Sequence, residues 1–165
     1  MLLLFECCKG EYIMTNTKEV SFSKAEMLIR KPVNEVFNAF IDPSFTTKFW
    51  FTKSSGRLEE GKRFRWDWEM YGVSAELEVI EIVQNKRILI KFTDDTTVEW
   101  IFTPRTEGTF VTIINAGFKG SPDEIMNQVI DSTGGFTIVL CGLKALLEHD
   151  IILNLVADKF PDAHV

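Results

Sequence analysis

The chain has 165 residues, 45% of them hydrophobic, with 14 Phe and 4 Trp, enough apolar material for one domain that folds without metal or disulfide support. Its net charge is −6 with acids and bases interspersed, which argues against nucleic acid or an anionic membrane surface as the main partner. Three cysteines, two of them adjacent at Cys7 and Cys8, make neither a disulfide framework nor a zinc motif, so a reducing, cytoplasmic setting is expected.

The run Met1 to Cys8 is apolar, but it has no basic leader and is too short to span a bilayer, so no membrane span is expected. After Met14 the polar stretch Thr15-Asn16-Thr17-Lys18-Glu19 reads like an ordinary protein start. Residues 1–19 therefore read as an N-terminal extension, loosely ordered or packed on a neighbour. Residues 20–165 read as a single domain.

Val20 to Arg30 alternates and stops at Lys31-Pro32, a first strand. Pro32 opens a short helix with Val33, Val36, Phe37 and Phe40 on one side. Asp42-Pro43 breaks it, and Ser44 to Phe51 is expected to be a second short helix. From Gly61 the period changes to two. Phe64, Trp66, Trp68 and Met70 alternate with charged residues, as in a half-buried strand. Four more strands follow at Ser74–Val83, Arg87–Thr93, Thr96–Thr103 and Thr109–Ala116, separated by Gln84-Asn85, Asp94-Asp95 and Glu107-Gly108 turns. Connections this short make the neighbours antiparallel.

Ser121-Pro122-Asp123-Glu124 then has the form of a helix start: a cap, a proline at the first position and a capping-box glutamate. Steps of three and four collect Ile125, Val129, Ser132, Phe136, Leu140, Leu143 and Leu147 on one stripe, giving an amphipathic helix to Glu148. The opposite side, with Ile138, Cys141, Gly142 and Ala145, is too apolar to be a free surface. Either the tail Ile151–Phe160 folds back over it or a second subunit docks there, and a homodimer using this face or the tail is the expectation. Gly134-Gly135 inside the helix suggests a kink or a close approach by another element. The expected fold is α+β: six curved antiparallel strands wrapped around a long C-terminal helix, with two short helices after the first strand.

The aromatic set Trp50, Trp66, Trp68, Phe92, Trp100, Phe102, Phe118 and Phe136, with Met126 and Leu140 from the helix, can either line a ligand pocket or simply fill the core. Asn115, Ser132 and Thr133 are the polar groups available to orient a bound molecule. Strand parity turns Asp67, Glu76, Glu78 and Glu99 away from the tryptophans toward water, against a paired-carboxylate mechanism. Cys141 has no histidine near it in sequence, and His149 and His164 read as structural. No metal-ligand spacing, cofactor motif or catalytic signature is present.

The order of elements resembles the START-like, helix-grip superfamily, and within it the family of the activator of the ninety-kilodalton heat-shock protein ATPase. The resemblance rests on Arg30-Lys31-Pro32-Val33 with Val36-Phe37-Asn38-Ala39-Phe40, on Gly61-Lys62-Arg63-Phe64, and on Val98-Glu99-Trp100-Ile101-Phe102-Thr103-Pro104. Gly134-Gly135-Phe136 and Leu143-Lys144-Ala145-Leu146-Leu147-Glu148 complete it. It implies a cavity between sheet and helix that binds a small apolar molecule, lipid-like or aromatic. It also implies two alternatives: a co-chaperone that stimulates a chaperone ATPase through its outer surface, and an enzyme of the cyclase or aromatase sort.

Overall fold

The computed structural model describes residues 21–165; the proposed N-terminal extension lies outside the described residues. Strand β1 (Phe22–Ile29) is followed by helices α1 (Val33–Ile41) and α2 (Pro43–Thr46), then by strands β2 (Lys53–Ser54), β3 (Arg63–Trp68), β4 (Val73–Val83), β5 (Arg87–Phe92), β6 (Thr97–Arg105) and β7 (Gly108–Ala116). The long helix α3 (Pro122–His149) and the short α4 (Leu155–Asp158) end the chain. The strands form one antiparallel sheet in the order β1-β7-β6-β5-β4-β3-β2.

That makes seven strands rather than six. The additional one is the two-residue β2, which pairs Lys53 with Asp67 and Ser54 with Trp66 at the β3 edge. Two residues carry no readable period, so only pairing with β3 reveals them as a strand.

The alternation read from the sequence sets the inner face. Trp100 stands opposite Ile113 and Phe102 opposite Val111, and all four are buried with Phe64, Trp66, Leu77, Val79, Ile88 and Ile90. A register shift between Val79 and Glu81 interrupts the β4–β5 ladder, the kind of bulge that bends a strand and increases its twist.

The second short helix stops four residues after it starts. Asp42 accepts from the Ser44 backbone N–H at 2.9 Å and Pro43 takes the first position. The expected continuation to Phe51 is replaced by an irregular segment in which Phe49, Trp50 and Phe51 are all buried. Successive helical residues point about 100° apart. A helix could not bury three consecutive rings in one core, whereas an irregular chain can.

Helix α3 begins as its sequence predicts: the Glu124 N–H donates to Ser121 Oγ, and Glu124 accepts from the Ser121 N–H at 2.7 Å. Its length and apolar composition would allow it to cross a membrane. Here it lies along edge strand β1, whose other side pairs with β7. Lys144 Nζ donates to the Leu28 carbonyl at 2.8 Å, and the Arg30 N–H donates to Glu148 at 2.7 Å. Helix side chains thereby occupy backbone groups that an open edge would leave free for another strand.

The predicted stripe is sheltered along its length, from the half-buried Ile125 to the buried Leu140 and Leu143. Part of the opposite side is covered from within the chain. Gly142 is buried against Phe49, where a Cβ would come 3.2 Å from the Phe49 Cβ. Ile138 faces the tail, and the Ile151 N–H donates to the Ala145 carbonyl. Close approach by another element therefore falls at Gly142, not at Gly134-Gly135.

A candidate ligand cleft between sheet, helix and tail

Three consecutive aromatics decide how much space is left beneath α3. Phe51 stacks on Trp66 with centroids 4.6 Å apart and planes at 19°. Trp50 sits 4.8 Å from Trp66 and 5.9 Å from Trp100. These rings seal Trp66 and Trp100, each 1% exposed. The centre of the sheet is thus filled with side chains, and neither indole N–H has a hydrogen-bond partner among the described residues.

The unfilled space lies to one side. A cleft of about 630 Å³ runs between the β3 end of the sheet, the middle of α3 and the C-terminal tail. Trp68 and Phe92 from the sheet and Trp50 from the irregular segment form one wall, joined by Tyr71 from the turn after β3 and Val73 at the start of β4. The helix contributes Ser132, Gly135, Phe136, Ile138 and Val139. The tail closes the third side with Val156, Lys159, Phe160 and Ala163.

The tail folds over after two left-handed residues, Asp150 (φ 54°) and Asn154 (φ 55°), residue types that tolerate this conformation. Tyr71 Oη reaches the carbonyls of Val156 and Ala157, the second at 3.0 Å. The Val165 N–H donates to the Met70 carbonyl at 3.1 Å. Phe160 and Val73 remain half exposed at the mouth.

At the base a polar chain links three elements. Ser132 Oγ donates to Asn115 Oδ1 at 2.9 Å, and Ser23 Oγ lies 2.6 Å from Ser132 Oγ. Asn115 Nδ2 donates to the Thr97 carbonyl at 2.8 Å. With its proton committed to Asn115, Ser132 receives the Ser23 proton and keeps one lone pair for a further donor.

Of the residues read from sequence as ligand-binding, the cleft gathers Trp50, Trp68, Phe92, Ser132 and Phe136. Trp66, Trp100, Phe102 and Leu140 are core. Asn115 is buried behind Ser132 and reaches the cleft only through it. Phe118 lies outside the lining, and so does Met126, which is 59% exposed one helical step from the sheltered Ile125. Sequence reading missed the tail and turn residues. The apolar tail was itself a signal, but the position of Tyr71 depends on the 3₁₀ turn Glu69–Tyr71 and had no local signature.

The carboxylates lie elsewhere. Asp67 pairs with Arg65 at 2.8 Å, Glu78 with Arg63 at 3.5 Å, and Glu99 with Arg87. A second hollow of about 520 Å³ is lined by Arg63, Arg65, Glu76, Glu78, Lys91 and Asp95. Asp95 accepts from Lys119 and Lys91, whose ammonium groups hold its carboxyl down at about 2. This is a charged surface whose cations are matched by neighbouring carboxylates.

Comparison with known proteins agrees with this architecture. A protein from Staphylococcus saprophyticus, SSP2350, superposes with a TM-score of 0.73 at 27% identity, covering 81% of this chain and 96% of that one. DynU16, from the dynemicin biosynthetic locus, superposes at 0.71 with 21% identity over 79% of this chain, which spans about half (48%) of that protein. The Aha1 dimer from Colwellia psychrerythraea superposes at 0.67 with 15% identity, over 78% of this chain and 97% of that one. No curated protein matches the sequence. The family described as activator of Hsp90 ATPase homolog 1-like protein matches residues 30–148. With that match over most of its length and a helix-grip fold to go with it, the chain belongs to the activator of Hsp90 ATPase homolog 1-like family.

Proposed function

We propose that the chain binds a small hydrophobic molecule, lipid-like or aromatic, in the cleft between β3, α3 and the tail. One observation carries this reading: a hollow of about 630 Å³ walled almost wholly by apolar and aromatic side chains. That volume is within the range of about 300–1,000 Å³ usual for small-molecule sites. Burying a ligand against these rings would supply affinity through apolar contact, and a few polar atoms would set orientation.

Gly135 supports the same reading. A glycine inside a helix costs about 1 kcal/mol relative to alanine, yet no atom lies within 4 Å of where its Cβ would be. Packing does not demand the glycine. A larger side chain there would extend into the cleft that Gly135 lines, so its smallness keeps the volume open.

The test follows from that geometry. Native mass spectrometry of the purified protein should find a co-purifying small molecule, and Gly135→Leu should lose it while keeping its circular dichroism spectrum and a cooperative melt. Apolar compounds should raise the melting temperature of the native chain and not of the variant. Equal binding by both proteins would end the cleft reading. The chaperone contact carried by the family's name would then be the reading left to test, on the outer surface.

A further inference from the structure

The charge of the lining bears on which class of molecule the cleft would take, an inference that rests on the binding reading above. Five lining side chains carry polar atoms: the neutral Tyr71, Ser132 and the indoles of Trp50 and Trp68, and the charged Lys159. Tyr71 Oη is engaged with the tail carbonyls, and Ser132 Oγ is held in the chain from Ser23 to Asn115. The Lys159 ammonium is the one charged group in the lining.

Its surroundings leave it available. Nζ lies 5.1 Å from the centroid of Phe160 and 3.7 Å from where a Cβ on Gly134 would be. Among the described residues, no carboxylate comes within 4.0 Å of it. Asp158 and Asp162 flank Lys159 in the tail but stay outside the lining. A protein with a net charge of −6 therefore presents a cation and no carboxylate to whatever enters this cleft. An ammonium ligand would find no counter-charge and would lose hydration on entry. A neutral one would bind through its apolar body, with neutral hydrogen bonds at most. An acid could do both, with its body among the rings and its anion on Lys159.

We infer that the natural ligand is a monoanionic amphiphile, an apolar or aromatic body ending in a carboxylate or similar acid group, with Lys159 at the mouth as its anchor. Three probes of matched body test this by calorimetry on the full chain: 2-naphthoate, 2-methoxynaphthalene and 2-naphthylmethylammonium. The acid should bind best, then the neutral probe, then the amine. Lys159→Met should weaken 2-naphthoate about three- to tenfold, the effect of a partly exposed charge-assisted contact, and leave 2-methoxynaphthalene unchanged. Lys159→Arg should keep the preference. Lys86→Met, in the remote β4–β5 turn, should not alter it, and raising salt from about 50 to about 500 mM should shrink it.

Equal affinity for acid and neutral probes, or an acid preference that survives Lys159→Met, overturns the anion assignment while the cleft remains a binding site. Failure of all three probes to bind overturns the assignment together with the reading beneath it. Unchanged melting temperatures for the Lys159 variants separate lost contact from lost fold.

Discussion

The two halves of α3 share one backbone and do different work. Beyond Gly135 the helix buries Val139, Leu140, Gly142, Leu143 and Leu146 in the common core. It also ties itself to β1 through Lys144 and Glu148. Before Gly135 none of its residues is fully buried, and Met126 and Ile130 are 59% and 61% exposed. The C-terminal half holds the domain together. The N-terminal half stays at the surface, and the middle of the helix, from Ser132 to Val139, lines the cleft. A helix that was core along its whole length would have no site.

That contrast can be broken most forcefully at Leu143, which is fully buried. Leu143→Ala should cost about 2–5 kcal/mol, seen as a fall of roughly 4–20 °C in melting temperature. If the loss is under about 1 kcal/mol, the C-terminal half is not the anchor described here.

Glu148 comes next. Its side chain is only 9% exposed and accepts from both the Arg30 N–H and Lys144. Glu148→Ala should cost about 1–3 kcal/mol in chemical denaturation, because it removes the charged acceptor of two hydrogen bonds, from the Arg30 N–H and from Lys144. Burial alone would raise its pKa, but the bonds from Arg30 and Lys144 together outweigh that and hold it below its usual 4.5. A carboxyl lowered on folding stabilises the native state above its unfolded pKa, and that stability is lost as pH falls through the folded value. Unfolding free energy measured from pH 5 downward should therefore fall less steeply for Glu148→Gln than for the native chain. Parallel curves would show that Glu148 does not couple the helix end to β1.

A smaller effect of opposite sign is expected at the cleft. Gly135→Ala should stabilise the protein by up to about 1 kcal/mol, since it removes a helix-weakening residue without a clash. Destabilisation would mean that Gly135 is there for packing. The smallest effect belongs to Ile130→Ala, where a change within about 0.5 kcal/mol is expected in the same melts. A larger loss would show that something covers this face in solution.

Much of the architecture was legible in neighbouring residues. Alternation in Phe64–Trp68 and Val98–Phe102 marked strands and their inner faces, and Ser121-Pro122-Asp123-Glu124 announced α3. The family likeness rested on the same segments. Two residues at Lys53–Ser54 were too few to show a period, and Ser44–Phe51 looked helical because clustered aromatics suit a helix face as well as an irregular plug. Of the cleft, the sequence offered Trp50, Trp68, Phe92, Ser132 and Phe136. It left Trp66, Trp100, Phe102 and Leu140 open between lining and core, because parity tells which face a ring is on and not whether another ring lies over it; the structure buries them in the core.

By itself, then, the sequence determined the order of the elements, the antiparallel meander, the start of α3 and the family, since each depends on residues a few positions apart. Only the tertiary structure decided where the empty space lies. Trp50 had to fold onto Trp66 and Trp100, and the tail had to turn at Asp150 and Asn154 to place Lys159 and Phe160 across the cleft from Trp68 and Phe136. Those contacts join segments far apart along the chain, and no local period encodes which of them will meet.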